Sequence, residues 1–157
     1  IVSIKGKLGS TTKKFNTRLV VVKVEGNKIT ITEGPNQKLL KRAGYATKSF
    51  ASELTTAIDG VQNGIKKKMV IFYAHFPMTI EIKGKKIFIK NIFGEKTARE
   101  TEIVGDTKVE VKGSDLTVTG VDRYDVGQTV GNIRKACFAR GNDTRVFQDG
   151  AYLAKEE

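Results

Sequence analysis

Apolar and polar residues alternate along most of this chain, and a longer rhythm interrupts the alternation twice. VEGNKITIT (24–32) and VKGSDLTVT (111–119) both alternate around a glycine-containing turn, the pattern of a β-hairpin with one buried face. Upstream of each lies a matching stretch, VSIKGKLG (2–9) and IFIKNIFG (87–94), ending on Gly9 and Gly94. The longer rhythm first appears in Phe50, Leu54, Ala57, Ile58, Val61 and Ile65, one buried helical stripe. It predicts a helix over 47–63, stopped at Gly64. Val126, Val130, Ile133 and Cys137 repeat it and predict a helix over 126–140. Asp125 with Gln128 suits a capping box at its start, and Gly141 suits a left-handed stop.

Each helix is followed by an extended segment, KKMVIFYAHF (67–76) and TRVFQDGAYL (144–153). The chain thus repeats itself. The expected class is α+β, with two tandem similar domains, each an antiparallel sheet with one helix packed on it. Pro77 ends a strand and marks the expected boundary, giving domains at 1–76 and 77–157. The second half opens with MTIEIKGKKIFIKN, two strands joined at Gly84, whereas the first half holds only the second of that pair. Residue 1 is Ile rather than Met, and an opening strand is expected upstream of it.

Charge changes the picture. The chain carries 28 Lys/Arg against 17 Asp/Glu, a net +11, which favours a polyanionic partner. Residues 1–75 hold +10 of that and residues 76–157 only +1, so contacts in the second half must rest on placement rather than bulk attraction. One cysteine (Cys137) and one histidine (His75) supply neither a disulfide nor a structural zinc site. Cys137 falls on an apolar stripe and reads as a small core residue. His75 reads as a packing or hydrogen-bonding residue near the junction. No apolar run approaches the ~20 residues that cross a bilayer. No P-loop, nucleophile elbow or acid–base constellation is present, so no catalytic residue, metal or cofactor is assigned.

Four segments carry a family resemblance: YAHFPMTIEI (73–82), IFGEK (92–96), DVGQTVGNI (125–133) and RVFQDGAYL (145–153). Together they resemble the archaeal and eukaryotic branch of the large-subunit ribosomal protein L-six family. Arg145, Phe147, Asp149, Gly150 and Tyr152 fall at the spacing of that branch's C-terminal signature; Ala151 stands where a larger aliphatic is usual. The resemblance implies two similar α+β domains and no enzymatic activity. It implies a cytoplasmic, ribosomal protein that binds large-subunit ribosomal RNA near the sarcin–ricin loop, beside neighbouring large-subunit proteins and away from membranes. A freestanding binder of nucleic acid or an anionic surface is the alternative.

With that partner, RGNDTRVFQDGAY (140–152) becomes the leading contact segment. Arginine forms two parallel hydrogen bonds to a phosphate, a geometry lysine lacks, so Arg140 and Arg145 are assigned to phosphate. Asn142 and Gln148 suit sugars or base edges, and Tyr152 suits stacking. Read as a strand, the segment puts Arg145, Phe147, Asp149 and Ala151 on one face, where Phe147 reads as core ahead of stacker. Asp149-Gly150 reads as a turn or bulge. Arg134 and Lys135 on the second helix, Lys96 and Arg99 after IFGEK, and Lys83, Lys85 and Lys86 around a hairpin turn form a second tier of candidates. Gly127 and Gly131 share one helix face and suit a close approach, by the sheet or by RNA.

Overall fold

The computed structural model describes residues 1–15, 18–26, 28–34, 40–74 and 76–154. They form two compact units, Ile1–Asn63 and Gly64–Glu157. The expectation for His75 lies outside the described residues.

In the first unit, β1 (Val2–Lys5) pairs antiparallel with β2 (Ser10–Lys13), and β3 (Val20–Glu25) pairs antiparallel with β4 (Lys28–Glu33). Helix α1 (Leu40–Asn63) packs on all four strands. Val20, Phe50 and Leu54 form the buried centre, with Val2, Ile4, Phe15, Val22 and Ile31 around it. The Phe15 and Phe50 rings lie 5.0 Å apart. The turn after β1 touches the end of the helix: Leu8 N–H donates to the Val61 carbonyl at 3.1 Å. Gly6 allows this, because a Cβ there would fall 2.2 Å from Val61 Cγ1.

Helix α1 begins well before the expected residue 47. Buried Ala43 extends the stripe of Phe50, Leu54, Ala57 and Val61 toward the N-terminus. Thr47, the expected first helical residue, already lies inside the helix, where its hydroxyl donates to the Ala43 carbonyl one turn back, at 2.8 Å.

The second unit contains β5 (Ile65–Phe72), β6 (Thr79–Lys83), β7 (Lys86–Lys90), β8 (Arg99–Glu102), β9 (Lys108–Lys112), β10 (Asp115–Gly120), α2 (Arg123–Ala136) and β11 (Gly150–Leu153). One sheet has the order β11-β5-β10-β9 and another β6-β7-β8, with every pairing antiparallel. Helix α2 packs on β10, β8, β5 and β11. Met69, Ile71, Ile87, Ile89, Ile92, Leu116, Val118, Val126, Ile133 and Ala151 belong to one buried cluster. Both units are therefore antiparallel strands with one helix packed across them, the α+β class expected.

Strand β5 differs from expectation. It was expected to close the first half, yet it hydrogen-bonds to β10 on one side and β11 on the other, in the second unit. Its alternate residues Met69 and Ile71 are buried in that unit's core, which draws the unit boundary at 63/64. Pro77 follows β5 within the unit rather than dividing the chain.

Helix α2 is also displaced. Its cap is Asp122, whose carboxylate accepts the Tyr124 N–H at 2.9 Å, while Asp125 lies in the first turn. Gln128, expected to complete a box, bonds Asn132 instead. The helix ends at Ala136 rather than Arg140. The expected strand 144–153 shrinks to Gly150–Leu153, because Asp143 nucleates a turn before it. Gly127 and Gly131 face open space, with nothing within 4 Å of an added Cβ, so the sheet does not make the close approach considered for them.

Candidate nucleic-acid interface

The irregular segment between α2 and β11 holds most of the candidate residues, and three tethers fix its shape. The first is Arg99, at the start of β8. Its Nη1 donates to the carbonyls of Ala136, at 2.8 Å, and Phe138, at 2.7 Å. The Ala136 carbonyl is one of those that a helix end leaves without partners, and the Phe138 carbonyl lies just past it. Its Nε and Nη2 grip both oxygens of Glu95, the former at 2.8 Å. This fork holds the Glu95 carboxyl below the usual carboxylate range and raises Arg99. The side chain is mostly buried. Arg99 thus ties the last residue of α2, Ala136, to the backbone just beyond the helix, at Phe138.

The IFGEK segment builds the seat for this arginine. It forms a 3-10 turn at Ile92–Gly94, with Ile92 buried. Asn91 and Phe93 both adopt left-handed backbone, at φ 57° and 51°, conformations that non-glycine residues hold only where surroundings enforce them. The strained turn places the Phe93 ring 5.5 Å from the Arg99 guanidinium and edge-on to Phe147 at 6.2 Å. Phe147 is half-buried in this stack.

The second tether lies inside the segment. The Asp143 carbonyl accepts N–H bonds from Val146, at 3.0 Å, and Phe147, at 2.9 Å. Its carboxylate accepts the Arg145 backbone N–H at 2.9 Å and the Arg145 guanidinium through Nη2 at 2.8 Å. Hydrogen bonds from Arg145 hold Asp143 below the usual carboxylate range, and Arg145 is raised in return. The Arg145 side chain remains 89% exposed, so its fork is oriented without being consumed.

The third tether closes the segment. Asp149 is buried, with 3% exposure, and its Oδ1 accepts the Ala74 N–H at 2.7 Å. Asp149-Gly150 is therefore an anchor at the start of β11 rather than only a turn. Tyr152 donates its hydroxyl to the Gln148 carbonyl at 2.8 Å and leaves its ring part-exposed.

The structure brings Arg140, Asn142, Arg145 and Gln148 onto this one tethered segment, all exposed. Arg134 and Lys135 are exposed in the last turn of α2, which leads into it. Arg140 borders an open cleft of about 380 Å³ with Glu95, Arg99, Glu100 and Ala136. Lys96 is exposed between the 3-10 turn and β8. The hairpin lysines sit on a separate element, β6–β7. Lys86 pairs there with Glu100 at 3.1 Å, Lys83 lies over the Phe88 ring at 5.6 Å, and Lys85 is exposed in the turn. Sequence reasoning missed the inward role of Arg99, the pairing of Asp143 with Arg145, and the exposed Phe138. Asp143 stands two residues from Arg145 in an Asn-Asp-Thr run, a turn signal that was legible. Glu95 lies only four residues from Arg99, but nothing local reveals its two carbonyl partners, which lie 37 and 39 residues away.

Among the described residues no group of His, Cys, Asp and Glu is arranged to hold a metal, and no helix is long and apolar enough to cross a membrane.

Comparison with known proteins decides the family. Residues 76–150 match the family described as Ribosomal protein L6. The Large ribosomal subunit protein uL6 of Thermoplasma volcanium is 43% identical over 141 residues, 90% of this chain and 78% of that protein. The chain belongs to the ribosomal protein L6 family. The L6 proteins of Picrophilus torridus and Methanocella arvoryzae, each 38% identical, extend the likeness to 98% and 97% of this chain and cover 84% and 85% of their own lengths. The L6 family match contains the 3-10 turn, Arg99, α2 and the whole tethered segment. L6 proteins are structural components of the ribosome, not enzymes.

Proposed function

We propose that this chain is a structural constituent of the large ribosomal subunit in the cytoplasm. It binds large-subunit ribosomal RNA near the sarcin–ricin loop, braces that fold, and touches neighbouring large-subunit proteins. The second unit is the main RNA-binding unit. The observation that carries this reading is the segment 137–149, where exposed Arg140, Asn142, Arg145 and Gln148 ride on a backbone tethered by Arg99, Asp143 and Asp149. Ordering these side chains before binding removes part of the entropy that a flexible loop loses on contact. Phosphates meet the arginine forks, and sugars or base edges meet Asn142 and Gln148. Arg134, Lys135, Lys96 and the hairpin lysines add phosphate neutralisation around it.

The test is binding to a large-subunit rRNA transcript containing the sarcin–ricin loop, followed as salt is raised. Affinity falls steeply, because each neutralised phosphate releases counterions. A footprint on large-subunit RNA with and without the protein locates the contact. Salt-independent binding, or a footprint elsewhere on the particle, defeats the reading.

A further inference from the structure

We propose that Phe138 is a base-stacking residue, held out from the protein to receive an unpaired nucleobase of the ribosomal RNA. The inference rests on the RNA-binding reading above and adds to it an aromatic contact of a different chemistry.

Phenylalanine is among the residues most often buried, yet Phe138 is 62% exposed. Its backbone is held at both ends. The Phe138 N–H donates to the Lys135 carbonyl at 3.3 Å, and the Phe138 carbonyl accepts Arg99 Nη1 at 2.7 Å. Both neighbours point inward: Cys137 and Ala139 are buried. Cys137 also donates its backbone N–H to the Ile133 carbonyl at 3.0 Å. Swinging the ring into the core would pull Cys137 or Ala139 out and break the Arg99 bond. The side chain is displayed because the backbone leaves it no other direction.

The surroundings identify the ligand class. Arg134, Lys135 and Arg140 are exposed within four residues of Phe138, so an apolar ring is surrounded in sequence by cations. An apolar protein partner gains nothing from that border. A nucleotide uses both parts, its base on the ring and its phosphates on the cations. Arg99 then acts as a positioning residue: it touches no RNA itself but fixes the carbonyl from which the stacking ring projects.

The experiment uses the full chain and the sarcin–ricin-containing transcript. Phe138→Ala weakens binding about tenfold, the size of one lost base stack. The slope of log affinity against log salt stays as in the parent, because a stack releases no counterions. Phe138→Leu, which keeps apolar area without a π-face, weakens binding as much as Phe138→Ala. The chain contains no tryptophan, so Phe138→Trp is a single-tryptophan reporter, excited apart from the tyrosines, that keeps affinity and loses emission when RNA is added. Parent-like affinity in Phe138→Ala or Phe138→Leu overturns the proposal. So does unchanged emission from Phe138→Trp once the RNA is bound. If the parent protein itself shows no salt-sensitive binding, the RNA-binding reading fails rather than this residue alone. Circular dichroism of each variant confirms that the fold is intact.

Discussion

The two units share a plan and differ in how they complete it. In the first, α1 lies over two separate two-stranded ladders, and among the described residues Val20, Phe50 and Leu54 make the buried cluster. In the second, β5 and β11 widen one ladder into a four-stranded sheet, and the buried cluster grows severalfold. The first unit accordingly leaves Val24 and Ile29 exposed on β3 and β4, at 66% and 46%. Charge runs the other way. Residues 1–63 carry +7, whereas residues 64–157 carry +4 with many more acidic groups. The first unit carries the larger net positive charge; the second offers a tethered frame on which particular side chains can be aimed.

The comparison breaks most directly in the cores. Leu116, on the central strand β10, is completely buried, and Leu116→Ala should cost about 3–5 kcal/mol, the upper part of the range for such truncations. Leu54 on α1 is almost as buried but sits in the smaller cluster, where neighbours can close over a gap. Leu54→Ala should cost about 2–3 kcal/mol. Denaturant unfolding read by hydrogen exchange in each unit measures both. Equal losses would show that the two cores are energetically alike despite their sizes.

The next effect concerns the frame alone. Arg99→Gln should destabilise the second unit by about 2 kcal/mol, because hydrogen bonds from a charged donor are lost and the Ala136 and Phe138 carbonyls are left bare. Exchange at the amides of residues 137–139 should accelerate, while amides of the first unit keep their rates. Uniform acceleration along the chain would mean that Arg99 supports global stability rather than this segment.

These two changes also separate what was legible in the sequence from what was not. Period-two and period-3.6 patterns report burial within one element, so both hairpins and both apolar stripes could be read directly. The patterns do not say which sheet an isolated strand joins. Strand β5 has the same alternation whether it closes the first unit or enters the second, and only its pairing with β10 and β11 decides. Helix ends failed for a related reason. The Asp122 cap was readable as a residue type, but the far end of α2 is held by Arg99 through the Ala136 carbonyl, a contact from a distant strand. Arg140, Asn142, Arg145 and Gln148 are legible as contact candidates from their side-chain chemistry, the basic balance and the family resemblance. Their rigidity was not, since it comes from Asp149 reaching Ala74 across the fold.

Binding sharpens the contrast between aimed and bulk charge. Arg145→Ala should weaken binding to the cognate rRNA transcript by about 1–3 kcal/mol, and to an unrelated RNA by less, because only the cognate fold holds a phosphate in register with the fork. Lys23→Gln with Lys28→Gln, on β3 and β4, should weaken binding to both RNAs alike and flatten the salt slope. Filter binding at several salt concentrations checks this. If the Lys23 and Lys28 changes discriminate between RNAs, the first unit does more than attract.

The smallest effect tests whether Asp143 orients Arg145 or competes for it. Both groups are exposed, so solvent and salt screen their attraction, and only a slight change is expected. The Asp143 carboxyl lies below its ordinary value, chiefly through the Arg145 hydrogen bond, so its contribution is present above the usual carboxylate range. It is lost as pH falls through the depressed value. The Arg145 fork should therefore keep its orientation from neutral pH to the weakly acidic range. Asp143→Asn keeps an oxygen that can accept the Arg145 backbone N–H, and so keeps the turn, while removing the charge opposite the guanidinium. Since an incoming phosphate must share or displace that carboxylate, Asp143→Asn should tighten RNA binding about twofold to threefold at low salt, and less at high salt. Weaker binding in Asp143→Asn would mean that orientation of the fork outweighs the electrostatic competition, and that the negative charge is part of the aim.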